Sequence, residues 1–261
     1  MNIKNICIPN NLDEAYSALI ENKRNTVLGG CMFLRMGDKN INTAIDLSNL
    51  NLDQIIEKDD TIEIGTYTTF RQIETSDILN KYYGNLLKDS VEHIIGVQFR
   101  NNVTVGGTVY SKYGFSDFIT ALLSLNVYVK LYSKGLVKLE EFLENTPDKD
   151  ILEKIIIKKE HINAKYISIR NSYSDYPIIN VAVSNKDSKF RIVIGSRPSC
   201  AKLAIKASKY LSENDLTNEN IEKAALIATE ELKFGTNMRG SAKYRKEVSK
   251  ALICKSIKEV L

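Results

Sequence analysis

Two glycine pairs, each placed after a run with strand character, constrain this chain more than any other feature. Gly29-Gly30 lies between a strand-like run at 25–28 and a helix-like run at 31–36. Gly106-Gly107 follows the β-branched residues Val103, Thr104 and Val105 inside the stretch FRNNVTVGGTVYSKYGFSD. Adjacent glycines let backbone N–H groups turn toward an anion and let that anion come close, because no Cβ intervenes. One pair alone marks a tight turn. Two strand–glycine units in one region predict two backbone cradles for one large phosphorylated ligand, a dinucleotide held outside the Rossmann pattern.

Length and composition narrow the classes. With 261 residues, 43% of them apolar and 26% charged, the chain has material for one large or two modest cores. The net charge of +4 is spread over lysines that alternate with acids, which predicts a solvated surface and no nucleic-acid partner. No run approaches the ~18 apolar residues of a membrane span, and the N-terminal MNIKNICIPNNLDEAY lacks a signal-peptide apolar region. The expectation is a cytoplasmic protein with no membrane association. Cys7, Cys31, Cys200 and Cys254 are scattered, and there are two histidines, so no metal site is expected. Electrons, if the chain handles them, must travel on an organic cofactor or a partner.

Along the chain, an apolar stripe at Leu12, Ala15, Tyr16, Leu19 and Ile20 predicts a first helix over 12–23, with Asn11 and Glu14 resembling a capping box. A short strand at 43–47 and a helical or irregular 48–54 complete a small α/β lobe. A half-buried strand at 61–66, helices at 69–76 and 86–95, and an apolar helix at 118–125 follow. Alternating Val127, Val129 and Leu131 mark another strand, and Pro147 a loop before the apolar strand 151–157. From about residue 160 the pattern changes to three strands (165–170, 178–184, 189–194) and then three helices (199–211, 220–232, 242–260). The predicted class is α+β.

Acid–base and nucleophilic machinery is missing. His93 lies in the 86–95 helix beside Ile94 and Ile95, His161 lies in a lysine-rich turn, and GxSxG, HExxH and P-loop patterns are absent. Phosphate-cradle features are present instead. Arg100 and Asn101 precede the second glycine pair, and Thr108 and Ser111 follow with hydroxyls. Asp117 is suited to accept from ribose hydroxyls or to cap the 118–125 helix, and the two roles are compatible.

These residues resemble a known family. Val27-Leu28-Gly29-Gly30-Cys31-Met32-Phe33-Leu34 is similar to the first flavin segment of the FAD-binding (medium) subunits of molybdenum hydroxylases, such as xanthine dehydrogenase and carbon monoxide dehydrogenase. Arg100-Asn101-Asn102-Val103-Thr104-Val105-Gly106-Gly107-Thr108 resembles the second segment. Ser116-Asp117 before Ala121-Leu122-Leu123-Ser124-Leu125 falls where the family has its Gly/Ser-Asp and apolar helix. Arg239-Gly240-Ser241-Ala242-Lys243-Tyr244-Arg245 resembles the C-terminal signature Arg-Gly-Ser-Ala-x-Tyr-Arg.

The resemblance implies a two-lobed FAD-binding domain of the PCMH (vanillyl-alcohol-oxidase-like) type over 1–160, with lobes at about 1–57 and 58–160. A C-terminal domain over 161–261 follows, with a three-stranded antiparallel sheet and a helical bundle. It implies FAD contacts from Val27, Leu28, Gly29, Gly30, Cys31, Met32 and Phe33, and from Asn101, Thr104, Gly106, Gly107, Thr108 and Ser111. Asp117 takes the ribose, Leu152 touches the flavin, and Arg170 places a cation near the isoalloxazine, an ordinary salt bridge being its structural alternative. The implied role is electron transfer from an iron–sulfur (2Fe-2S) subunit through FAD to NAD+, with a third subunit carrying molybdopterin. No residue of this chain is assigned a catalytic role.

The chain departs from the family at Leu28 for Ala, Cys31 for Thr or Gln, Met32 for Asp and Thr108 for Asn, and its YSKYGF turn lacks the usual Ala-Asn-Ala-Ser-Pro. Backbone contacts tolerate such changes, so FAD binding is still expected. A stand-alone FAD-dependent oxidoreductase and a flavin-free scaffold subunit are the alternatives.

Overall fold

The computed structural model describes residues 1–145 and 149–261, so the predicted loop at Pro147 lies outside the described residues. In chain order the elements begin β1 (Asn2–Cys7), α1 (Leu12–Glu21), β2 (Thr26–Leu28), β3 (Asn40–Asp46), β4 (Ile55–Glu57) and β5 (Thr61–Gly65). Next come α2 (Phe70–Glu74), α3 (Asp77–Tyr83), α4 (Leu86–Val91), α5 (Val97–Arg100), α6 (Val105–Ser111) and α7 (Asp117–Leu123). β6 (Val127–Leu131), β7 (Gly135–Lys138), α8 (Leu139–Glu144) and β8 (Leu152–Lys158) follow. The chain closes with β9 (Asn163–Arg170), β10 (Pro177–Lys186), β11 (Lys189–Gly195), β12 (Lys202–Leu203), α9 (Ile205–Ser212), α10 (Asn218–Glu231) and α11 (Ala242–Glu259).

These elements sort into two compact units that interleave in sequence. The first comprises Met1–Gln72, Val97–Ser111 and Val127–Ile157; the second comprises Ile73–Gly96, Lys112–Asn126 and Lys158–Leu261.

The first unit contains two sheets. β1 and β2 both pair in parallel with β3, giving the order β1-β3-β2, and α1 makes the crossover that parallel pairing demands. α1 buries Ala15 and Leu19 against Ile45 and Leu47. Asn11 caps it by accepting from the Glu14 amide at 2.9 Å, and the Glu14 carboxylate accepts in return from the Asn10 amide at 2.8 Å. β1 is a strand that the sequence pattern does not announce: four of its six residues are exposed, three of them polar, and its place in the sheet comes from pairing with β3. The second sheet has the order β4-β5-β8-β6-β7.

The second unit is built on an antiparallel sheet of order β12-β11-β10-β9. The predicted three-strand meander is present, and the two-residue β12 extends it. Alternation divides its faces. Ile167, Ile169, Ile179, Val181, Val183, Ile192 and Ile194 pack with the apolar stripes of α9, α10 and α11 into one core. Residues of the opposite parity on β9 and β10 meet α7, where the Ser184 hydroxyl donates to the Ser124 carbonyl at 2.5 Å. Arg191 donates to the Leu123 carbonyl through Nε at 3.2 Å and Nη2 at 2.8 Å, closing the C-terminal end of α7 with a cation. Arg245, on α11, is 1% exposed and gives its guanidinium to the carbonyls of Ile178, Gly235 and Gly240 and to Asn237 Oδ1. That buried clasp is the physical content of the terminal arginine in the 239–245 signature.

Candidate functional site

The two glycine pairs, far apart in sequence, meet in the first unit. A Cβ built on Gly29 would lie 2.7 Å from Thr104 Oγ1 and 3.3 Å from Gly107 Cα; one on Gly107 would lie 2.9 Å from Thr104 Oγ1. On Gly30 it would fall 1.3 Å from the Asn102 carbonyl oxygen, and on Gly106 1.6 Å from Thr66 Oγ1. All four therefore lack side chains because protein packs against them. The expected open cradle is replaced by two interlocked loops.

The loops differ in what they leave over. After β2 the chain turns through Gly29 and Gly30 into Cys31, whose φ of 58° is left-handed and uncommon for a non-glycine residue. The predicted helix at 31–36 shrinks to a single 3-10 turn at Leu34–Met36, because a left-handed residue cannot open an α-helix. Among the described residues, no acceptor takes the amides of Gly30, Cys31 or Met32. Unclaimed adjacent amides beside a left-handed residue form an anion-binding concavity. The loop is anchored from below by Tyr67, whose hydroxyl donates to the Leu28 carbonyl at 2.5 Å and accepts from the Leu47 amide at 2.9 Å. Burial pushes the Tyr67 phenol well above its ordinary range, so it stays a donor. The Cys31 thiol donates to the Gly29 carbonyl at 3.2 Å, and burial, with Asp46 nearby, pushes its pKa up and away from thiolate chemistry.

Around Gly106-Gly107 the amides are spoken for. Val105 N donates to Thr68 O at 2.9 Å, Gly106 N to Thr66 O at 2.7 Å, Gly107 N to Thr104 Oγ1 at 3.2 Å and Thr108 N to Thr104 O at 3.1 Å. The strand predicted at 103–105 is reduced to one bridge, Thr69 to Thr104, after which α6 starts at Val105. Thr104 caps that helix, a short-range interaction that outweighs the β preference of its neighbours. What this segment still offers is side chain: the half-buried Thr108, and the exposed Ser111 and Asn101. Val27 and Leu28 are half-buried in β2, Met32 and Phe33 half-buried in the turn, and Leu152 is buried in β8 opposite Leu131.

Asp117 and Arg170 belong to the second unit, and the structure joins them. Arg170 Nη2 lies 2.8 Å from Asp117 Oδ1, an ion pair whose side chains are 8% and 5% exposed, off the hydrogen-bonding direction. The surface salt bridge considered for Arg170 is thus a buried one. Asp117 does not cap α7; Ser116 does, accepting from the Ile119 amide at 3.1 Å, and Asp117 occupies the first helical position. The sequence reading missed the other members of this cluster. The Tyr166 hydroxyl donates to Asp117 Oδ1, and Asn180 Nδ2 donates to the same oxygen at 3.0 Å. Arg170 Nε donates to Ser168 Oγ at 3.1 Å, and Nη1 to the Asp175 carbonyl at 2.6 Å. Tyr166, Ser168 and Arg170 stand at i, i+2, i+4 of β9, so a polar period-two row was the available signal. Burial pushes the Asp117 carboxyl up, against the opposing pulls of Arg170, Tyr166 and Asn180. Burial opposes the Arg170 charge, but Asp117 and Tyr166 together outweigh it and the guanidinium stays protonated. Tyr166, Ser168 and Arg170 also line a cavity of about 660 Å³ beside β9, with His93 and Asp89 of the α4 region.

Among the described residues, no group of three or more His, Cys, Asp or Glu could hold a metal, the four cysteines are free, and no helix is long and apolar enough to cross a membrane.

Comparison with known proteins places this arrangement. Residues 2–162 match the family described as the FAD binding domain in molybdopterin dehydrogenase, and residues 164–260 match the CO dehydrogenase flavoprotein C-terminal domain. The chain belongs to the first of these families and is an FAD-binding oxidoreductase subunit of molybdenum hydroxylase type. It is 24% identical to the nicotine 6-hydroxylase medium subunit of Paenarthrobacter nicotinovorans, over 96% of this chain and 95% of that one. It is 23% identical to the glyceraldehyde dehydrogenase medium chain of Sulfolobus acidocaldarius, over 83% and 82%. The fold is shared with reconstituted CO dehydrogenase from Oligotropha carboxidovorans (TM-score 0.90, 18% identity, 100% of this chain and 98% of that one). It is shared equally with quinoline 2-oxidoreductase from Pseudomonas putida (TM-score 0.88, 19% identity, 100% and 97%). The residues of the first unit fit FAD: three unclaimed amides suit a pyrophosphate, and the Thr108 and Ser111 hydroxyls suit a polyhydroxy chain.

Proposed function

We propose that this chain is the electron-transfer subunit of a complex whose other subunits carry 2Fe-2S clusters and molybdopterin, and that it passes electrons through FAD to NAD+. The observation that carries the reading is the Gly29–Phe33 loop, with its free amides at 30–32 held open by interlocked glycines. In this reading those amides hold the pyrophosphate, and Val27 and Leu28 fix the strand that aims them. Asn101, Thr104, Gly106, Gly107, Thr108 and Ser111 form the adjoining wall, with the hydroxyls of Thr108 and Ser111 turned to ligand oxygens. Asp117, paired with Arg170, takes a ribose hydroxyl and Leu152 supplies an apolar contact; the Arg170 guanidinium, which the resemblance places as a cation beside the isoalloxazine, is instead neutralised by Asp117 2.8 Å away. Bound FAD supplies the one- and two-electron chemistry that no side chain here provides. The protein's part is to bind, orient and set the electrostatics, consistent with its lack of acid–base machinery.

The names of the relatives cover nicotine, glyceraldehyde, carbon monoxide and quinoline. The proposed electron flow is xanthine dehydrogenase-like on the resemblance of the motifs alone, and the substrate is chosen in another subunit. The proposal keeps a domain boundary near residue 160 and a cytoplasmic location. Purified chain supplied with FAD and then desalted should show flavin absorption bands near ~370 and ~450 nm. A colourless protein would overturn the cofactor assignment. Co-purification of iron and molybdenum with two further chains tests the partners, and turnover by the isolated chain would contradict the subunit role.

A further inference from the structure

We infer that Tyr166 and Asn180 are positioning residues that fix one oxygen of Asp117 so that the other is presented to a ligand hydroxyl. The inference rests on the FAD reading above and names residues that neither the sequence motifs nor the family match assigns. Its basis is the asymmetry of the carboxylate. Tyr166 Oη and Asn180 Nδ2 both donate to Oδ1, and Arg170 Nη2 stands 2.8 Å from that same atom. Oδ2 receives no donor among the described residues and is not sealed from solvent. A carboxylate held only for structure would share donors between its oxygens, because each buried lone pair left empty is costly.

The holding groups are themselves held. Asn180 presents its Nδ2 in one sense because the Asp117 carboxylate can only accept, while the amide Oδ1 lies 3.0 Å from Thr120 Oγ1, whose single proton is shared between Asn180 and the Ser116 carbonyl one turn back along α7. A Cβ on Gly195 would lie 2.2 Å from Asn180 Oδ1, so the neighbouring strand leaves the amide no room to swing. Tyr166 is fully enclosed, and burial with the Asp117 charge keeps its phenol protonated, hence a donor across the working pH range. Two of the groups around Oδ1, Tyr166 and Arg170, also line the cavity beside β9.

FAD titration of the full-length chain tests this, followed by flavin fluorescence, on wild type, Tyr166→Phe, Asp117→Asn and the double variant. Tyr166→Phe keeps the ring and removes one donor, and should weaken FAD binding about tenfold. In the Asp117→Asn background the same change should cost nothing further, because its target charge is gone. The charged or titratable groups acting on Asp117 are Arg170 and Tyr166, both on β9; β10 adds neutral Asn180, and α4 and β11 add none. Loss of the Tyr166 donor therefore moves the acid limb of FAD affinity to higher pH, a shift that a packing defect would not produce. Asn180→Leu, similar in volume, gives a second route should Tyr166→Phe fail to fold. Equal losses in both backgrounds, or no loss and no pH shift, would overturn the inference while leaving FAD binding intact. A wild-type chain that takes up no FAD would overturn the underlying reading instead.

Discussion

The two glycine loops carry the same dipeptide and do opposite work. At Gly29-Gly30 the amides of Gly30, the left-handed Cys31 and Met32 stay unclaimed, whereas every amide from Val105 to Thr108 already has a protein acceptor. The second pair exists so that the first can be held: Gly107 and Thr104 pack against Gly29, and the Asn102 carbonyl closes on Gly30. A glycine pair read from sequence thus says that something comes close, without saying whether it is a ligand or another piece of backbone. The free-amide count separates the two cases.

That contrast can be broken most severely at Gly30. Gly30→Ala drives a methyl to 1.3 Å from a backbone carbonyl oxygen that cannot rotate away, so a loss of about 3 kcal/mol or more is expected, read from the urea midpoint. Gly106→Ala meets a side chain, Thr66 Oγ1, and should cost about 2 kcal/mol. Adding Thr66→Ala should return part of that loss, and no recovery would place the strain elsewhere. Thr104→Ala removes the acceptor of the Gly107 amide and should cost about 1 kcal/mol of stability. Cys31→Gly sharpens the comparison from the other side. Relief of the left-handed strain should stabilise by up to about 1 kcal/mol, seen as a raised Tm.

Much of the fold could be read beforehand where a long period was at work. The stripe of α1 with its Asn11 cap, the meander of β9–β11 and the helices α10 and α11 follow from periodicity and length; the helix expected from residue 199 begins only at Ile205, because Lys202 and Leu203 pair with β11 as β12. Short or edge elements could not. β1 is exposed at most positions and is a strand only because β3 pairs with it. Val103–Val105 has strand composition but is captured by the Thr104 cap. For the site, the glycines, Asp117 and Arg170 were visible as motif residues. Their geometry was not, because the Asp117–Arg170 ion pair joins α7 to β9 across a stretch that no local pattern links. Tyr166 was legible only as part of a polar row on β9, and Tyr67 gave no signal beyond following β5.

Backbone amide hydrogen exchange, measured residue by residue with and without saturating FAD, tests the central claim most directly. The amides of Gly30, Cys31 and Met32 should exchange fast in the free chain and become strongly protected on binding, while Gly106, Gly107 and Thr108 should be protected in both states. Saturation with FAD that leaves 30–32 unprotected, or that slows 106–108 instead, would contradict the account.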